Sequence, residues 1–203
     1  MTNTPPAPPS RPGTWKVLSD AIEFETPHIR ARRQRCETAR GAIVDPYHVF
    51  DVPNWTCVLA ITPDMQVVLV RNYRHGAQQV IVELPGGIID ATDADTRSAA
   101  ARELREETGH SVETMHALPP IHPYPGRFRQ RAYPFLGLGA VKTAEQALED
   151  DEDIEVFTVP LARAFEMFAD GSEHVAIVHA GIMLSARHLI ATTAELAELR
   201  ALL

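Results

Sequence analysis

Residues 102–110 read Arg102-Glu103-Leu104-Arg105-Glu106-Glu107-Thr108-Gly109-His110, with three carboxylates packed into less than two helical turns. At about 100° per residue, Glu103, Glu106 and Glu107 fall within roughly a 100° arc of an α-helix, and Arg105 points the other way. Acidic neighbours at three and four residues' spacing repel and weaken an isolated helix by a few tenths of a kcal/mol. A solvated acidic face is the ordinary explanation of such a run. The alternative is that the arc carries a divalent cation, because Mg²⁺ takes oxygen ligands and shares them with substrate phosphates. Arg102, four residues before Glu106, is placed to steady its carboxylate.

The flanks favour the cation. Upstream stand Glu83-Leu84-Pro85-Gly86-Gly87, a loop rich in Asp and Thr, and the helical run Ser98-Ala99-Ala100-Ala101. Downstream, Gly109 suits the left-handed position that closes a helix. This order of strand, Gly-loop, acidic helix and Gly-stop resembles the signature box of the Nudix hydrolases, whose second half matches at Arg102, Glu103, Leu104, Glu106, Glu107 and Gly109. The chain departs from the box in three places. Asp93 stands where the family has Glu, the loop from Asp93 to Arg102 is one residue longer, and His110 takes a position that is usually apolar and reads as a packing residue. A surface loop takes an added residue at small entropic cost.

Around the box the chain is most similar to the ADP-ribose pyrophosphatase branch, which cleaves nucleoside diphosphate sugars. The resemblance rests on an N-terminal sheet ahead of the box, the strand end Val70-Arg71-Asn72-Tyr73-Arg74, and the Glu-Leu-Pro start of the box. It implies that Glu103 and Glu107 are the principal metal ligands, with Glu106 an additional or shared one and Gly86 a ligand through its carbonyl, for Mg²⁺ or Mn²⁺. It also implies catalytic roles for Glu106 and Arg102, and a general base on the acidic loop 148–156, best matched by Glu152. Arg74, Glu83, Arg127 and Gln130 fall in the implied substrate site. Gln130 replaces an acid of the branch, which points to a change in the sugar or charge accepted. Arg127, Arg129 and Arg131 either read a further phosphate or decorate their loop.

The whole chain sets limits on these readings. A formal net charge of −8 over 203 residues argues against unspecific nucleic-acid binding, which needs a basic patch. Two cysteines are too few for a disulfide framework and suit a reducing cytoplasm. No run of 18 apolar residues spans a membrane, and the N-terminus carries no basic, apolar leader.

Hydrophobic patterning predicts an α/β fold with helices on both faces of a mixed sheet, preceded by a small antiparallel sheet, and the resemblance implies that this is the Nudix α/β/α sandwich. Residues 1–13 are Pro-rich and read as a disordered tail. Residues 14–50 read as the N-terminal sheet, with strands near 15–18, 28–33 and 42–45. That sheet is too slight to stand alone, which predicts a homodimer. Residues 51–203 read as the catalytic domain, with strands at 55–61, 66–71, 80–84, 133–138 and 153–159. Pro160 is expected in the first turn of a helix ended by Gly171, and a third helix from about 174 to 190. Thr192 with Glu195 is expected to box the start of a last helix.

The function implied is Mg²⁺-dependent hydrolysis of a nucleoside diphosphate sugar such as ADP-ribose to a nucleoside monophosphate and a sugar phosphate. The partner is then a small-molecule nucleotide sugar. The rivals are hydrolysis of GDP-mannose or a dinucleotide, and a non-catalytic nucleotide sensor, against which the intact glutamates speak.

Overall fold

The computed structural model describes residues 13–150 and 152–202. The tail expected over residues 1–13 lies, except for Gly13, outside the described residues. The chain divides into two compact units, one ending at Val52 and including Tyr124–Arg129, the other made of Pro53–Pro123 and the chain from Gln130 onward.

In the first unit β1 (Lys16–Glu25), β2 (Arg30–Glu37) and β3 (Ile43–Asp51) form an antiparallel meander, and the short strand Phe128–Arg129 adds in parallel to β3. The strands run longer than their apolar residues predict. Their extensions are charged, and the charges pair across the ladder: Arg32 lies 2.5 Å from Asp51 and 3.2 Å from Asp20, and Arg33 is 3.0 Å from Asp45. Such cross-strand pairs stabilise a sheet where apolar contacts are few. Every residue of β1 is exposed, Val17, Ile22 and Phe24 included.

The second unit is built on a mixed sheet. Its strands are β4 (Trp55–Ile61), β5 (Gln66–Arg74), β6 (Gln79–Glu83), β7 (Thr114–Ala117), β8 (Ala132–Leu138) and β9 (Ile154–Pro160), in the order β9-β5-β4-β8-β7, with β6 also on β5. β4 and β8 run parallel, and the other pairs are antiparallel. Alternate residues of β4 go to opposite faces, as the period of two requires. Val58 and Ala60 pack with Ala100 and Leu104 of helix α1 (Thr96–Thr108). Cys57, Leu59 and Ile61 pack with helices α2 (Leu161–Asp170) and α3 (Ile177–Thr192), through Leu161, Phe168, Ile182 and Ile190 among others. Helices on both faces explain why β4 is a nearly continuous apolar run, and this is the predicted α/β/α sandwich.

Three local expectations are corrected. Pro160 is the last residue of β9 and the N-cap of α2 rather than a first-turn residue. α3 begins at Ile177, because His174 and Val175 are drawn into extended pairing with Val82. The capping box at Thr192 does not form. α3 runs through Thr192, whose hydroxyl donates to the His188 carbonyl at 2.8 Å, and Ala194–Leu202 follows as a 3₁₀ segment that buries Leu196 and Leu199. No helix among the described residues is long and apolar enough to cross a membrane.

Candidate active site

β6 leaves the sheet at Glu83, and the backbone of Pro85 to Gly87 continues alongside β4. The Val58 and Thr56 N–H groups donate to the carbonyls of Pro85 and Gly87, each at 2.9 Å. This path demands glycine. A Cβ on Gly86 would stand 2.2 Å from the Thr56 oxygen and 2.5 Å from the Cys57 Cα. One on Gly87 would meet the Glu103 carboxylate at 2.6 Å. The loop therefore lies directly on α1, and the Gly86 N–H donates to Glu107 Oε2 at 2.7 Å. α1 is held at both ends, by the Asp95 side chain accepting from the Ser98 N–H and by left-handed Gly109.

Arg102 organises the carboxylates. Its Nη1 reaches Glu103 at 3.0 Å and Glu106 at 2.9 Å, while its Nε and Nη2 grip Asp93 at 3.1 and 2.9 Å and Nη2 also donates to the Ile88 carbonyl. The fork-on-carboxylate geometry with Asp93 is the strong kind, and it holds the Asp93 carboxyl below its ordinary range. Asp93 also accepts from the Asp90 N–H. The residue that departs from the family pattern thus anchors the arginine at the head of the glutamate arc. The shorter side chain and the longer loop end in one ion pair.

Glu103 and Glu107 are buried, and burial pushes their carboxyls up to about 7 and about 8. Arg102 opposes the shift at Glu103 and the Gly86 N–H opposes it at Glu107, whereas Glu106 adds to the push on Glu103. The charge of Glu152 adds to the push on both, so the acidic loop faces this cluster. Glu152 is fixed locally, its carboxylate accepting from the Glu149 N–H at 2.9 Å.

Two buried carboxylates with too little positive charge, and hard oxygen donors on one arc, fit Mg²⁺ or Mn²⁺. As they stand, no three such groups among the described residues converge on one point. Arg102 Nη1 takes one oxygen each from Glu103 and Glu106 as their counter-charge.

Beside the glycine loop opens a pocket of about 260 Å³ lined by Trp55, Arg74, Glu83, Gly86, Gln130 and His179 among others. It unites four of the residues expected from sequence. Arg74 pairs with buried Glu83 at 2.7 Å, and Gln130 is fixed by donating to the Pro53 carbonyl at 2.7 Å. Arg127 belongs to the first unit, where it lies 4.0 Å from the Tyr47 ring centre and donates to the His48 carbonyl at 3.2 Å. Of its neighbours, Arg129 pairs with Asp51 in that same unit. Sequence reasoning did not find Trp55 or His179. Trp55 reads as the start of an apolar strand and His179 as one residue of a helix, and neither sits in a motif that marks it.

A family model described as "NUDIX domain" matches residues 52–178. Among curated proteins, the chain is 32% identical over 115 residues to the methanol dehydrogenase activator of Bacillus methanolicus, covering 56% of this chain and 62% of that one. It is 27% identical over 178 residues to the ADP-ribose pyrophosphatase of Mycobacterium tuberculosis, covering 85% and 84%. It is 30% identical over 166 residues to the GDP-mannose pyrophosphatase of Klebsiella pneumoniae, covering 76% and 83%. The chain thus spans under two thirds of the first of these relatives and most of the other two. Among solved structures, the crystal structure of an ADP compounds hydrolase superposes with a TM-score of 0.74 at 17% identity, covering 90% of this chain and 97% of that one, and so shares its fold.

Proposed function

The chain belongs to the Nudix family, and from that premise we propose that it is a Mg²⁺-dependent pyrophosphohydrolase that splits a nucleoside diphosphate sugar of the ADP-ribose type into a nucleoside monophosphate and a sugar phosphate. The observation that carries the reading is the Gly86–Gly87 loop, laid against Glu103 and Glu107 on one side and forming a wall of the Arg74, Glu83 and Gln130 pocket on the other. A diphosphate over that loop has its charge at the carboxylate arc and one substituent in the pocket.

Glu103, Glu107 and the Gly86 carbonyl would hold the cation, with Glu106 as an additional ligand. A bound Mg²⁺ or Mn²⁺ supplies neutralisation of the diphosphate charge and acidifies water. The remaining work falls to the chain. Arg102, anchored on Asp93, orients Glu103 and Glu106. Arg74 binds phosphate oxygens, a task for which guanidinium geometry is suited. Glu152 takes a proton from the attacking water, on a loop whose charge already reaches Glu103 and Glu107. Cys57 is no nucleophile, because burial pushes its thiol far up.

GDP-mannose is the second reading, favoured by the match to a GDP-mannose pyrophosphatase along 83% of that relative. Turnover of ADP-ribose, GDP-mannose, dinucleotides and nucleoside triphosphates with Mg²⁺, with Mn²⁺ and with chelator tests both. The proposal requires metal-dependent turnover of a diphosphate sugar above all others, and a preference for triphosphates overturns it.

The protein is further proposed to act as a cytoplasmic homodimer. β1 is an edge strand with exposed Val17, Ile22 and Phe24, the kind of edge that a second chain covers. Cys36 and Cys57 are both buried free thiols, as a reducing compartment allows. Light scattering of the full chain and of a Val17, Ile22 and Phe24 to Ser variant checks the dimer, which the variant should lose. A wild-type monomer contradicts it.

A further inference from the structure

His179 sits on α3, buried, between two aromatic rings. Its imidazole stacks on Trp55 with ring centres 5.6 Å apart and planes inclined by 20°, and on Phe168 at 6.4 Å and 12°. Its Nδ1 accepts the Leu84 N–H at 2.9 Å. A nitrogen that accepts cannot carry a proton, so the neutral ring bears its hydrogen on Nε2. Burial lowers the ring's pKa to about 3, consistent with that neutral form and unsuited to proton shuttling at neutral pH.

No protein group accepts from Nε2–H among the described residues. Nor is Nε2 sealed away, since the buried side-chain polar atom left without a partner among those residues is Gln34 Nε2. A fixed, accessible donor thus sits on a residue that lines the pocket of Trp55, Arg74 and Glu83. An accessible donor without a protein partner is free to bond to a ligand in that pocket.

The rest of the wall says what that ligand is. Arg74 and Glu83 lie 2.7 Å apart and offset each other's charge through the Arg74 Nε, so the pair adds little net charge to this side of the pocket while the other guanidinium N–H groups remain for phosphate. Glu83 keeps acceptor capacity beyond its bond to Arg74, since a carboxylate has about four lone-pair sites. The lining thus offers a neutral donor, an acceptor and an indole, a combination that suits a ring carrying hydroxyl groups.

We propose that His179 is a specificity-determining residue whose Nε2–H donates to a sugar hydroxyl of the bound substrate, with Glu83 as the complementary acceptor. The inference rests on the pocket's being the substrate site of the hydrolase proposed above. A sugar hydroxyl has two sources, the terminal sugar and the ribose of the nucleoside, and both arms of the test address them.

His179→Asn retains an acceptor for the Leu84 N–H and removes the Nε2 donor. With ADP-ribose its KM should rise about tenfold, the effect of one lost hydrogen bond, with kcat within about twofold of wild type. The methyl ester of ADP, which has no terminal sugar, separates the sources. If the KM rise disappears with the ester, the hydroxyl belongs to the terminal sugar. If it persists with the ester and disappears with the 2′,3′-dideoxy ester, it belongs to the nucleoside. An unchanged KM for ADP-ribose, or a rise that survives removal of both sets of hydroxyls, overturns the proposal.

A measurement on the wild-type chain stands apart from folding of the variant. In ¹⁵N spectra the His179 ring should carry its proton on Nε2, and this Nε2–H should shift on titration with the α,β-methylene analogue of ADP-ribose and Mg²⁺. A proton on Nδ1, or an Nε2–H that ignores the bound analogue, refutes the assignment. Absence of turnover with every diphosphate sugar would instead count against the hydrolase reading, and the titration still reports on the pocket.

Discussion

Metal binding to α1 should be strongly linked to protons. In the metal-free protein Glu103 and Glu107 titrate at about 7 and about 8, chiefly because both are buried, and a cation binds only their ionised forms. At pH 6 on the order of one molecule in a thousand has both groups ionised, whereas at pH 8.5 about three quarters do. The apparent Mg²⁺ affinity should therefore rise by several hundredfold across that interval, an upper figure because the two groups interact and their protons leave as a pair. Near pH 6.5 binding should release between one and two protons. Isothermal titration in two buffers of different ionisation enthalpy reads both quantities, and Glu107→Gln should remove about one of the released protons. The fold carries the opposite dependence. Both carboxyls titrate higher in the folded chain than at their ordinary 4.5, so their contribution to stability is complete below about pH 4.5 and is lost as pH rises through about 7 and about 8. Without metal the melting temperature should fall on going from pH 6 to pH 8.5, and Mg²⁺ should restore most of the loss. A Mg²⁺ affinity that is flat over this range, with no buffer-dependent heat, would refute the placement of the cation on these two glutamates.

Glu107→Gln should be at least as thermally stable as wild type at pH 8.5 in chelator, because it removes a buried charge, yet turnover should drop by about 10²–10³-fold, as when a key electrostatic group is deleted; calorimetry and a product assay read the two effects. Gly86→Ala should destabilise the fold by about 1–3 kcal/mol, since its Cβ overlaps the backbone of Thr56 and Cys57, a loss visible in urea unfolding. Glu152→Gln should lower kcat by about 10²–10⁴-fold with little change in substrate affinity, and a full kcat together with a loss in Glu149→Gln would move the base along the loop. Asp93→Ala should weaken Mg²⁺ binding more than Asp93→Glu, because only the first frees Arg102 from its anchor, and titration calorimetry of the two variants ranks them.

The sandwich was legible because its signals are local. The run from Trp55 to Ile61 is apolar throughout since both its faces are covered, and Gly109 and Gly171 end their helices in the left-handed conformation that the sequence announces. The metal face was legible for the same reason, since spacing alone puts Glu103, Glu106 and Glu107 on one arc of one helix. What escaped depends on contacts between distant segments. The true length of β1 to β3 is set by ion pairs such as Arg32 with Asp51, nineteen residues apart. α3 starts late because Val82 claims the backbone of His174 and Val175. Arg127 turns to Tyr47 and His48, seventy-nine residues away for His48, and no spacing rule reaches that far. His179 meets Leu84 across ninety-five residues, so its place in the pocket needed the fold itself. Asp93 is intermediate: its departure from the pattern is visible in the sequence, but its bond to Arg102 is visible only in three dimensions.

The most direct test of the diphosphate-sugar reading is the fate of oxygen in the bond that breaks. With ADP-ribose, Mg²⁺ and ¹⁸O-labelled water, in-line attack on one phosphorus with the other phosphate leaving should give AMP and ribose 5-phosphate, label in only one of them, and no free inorganic phosphate. Inorganic phosphate as the first product, or label at the anomeric carbon of the ribose, would show that a different bond had been cut and would contradict the account of the site.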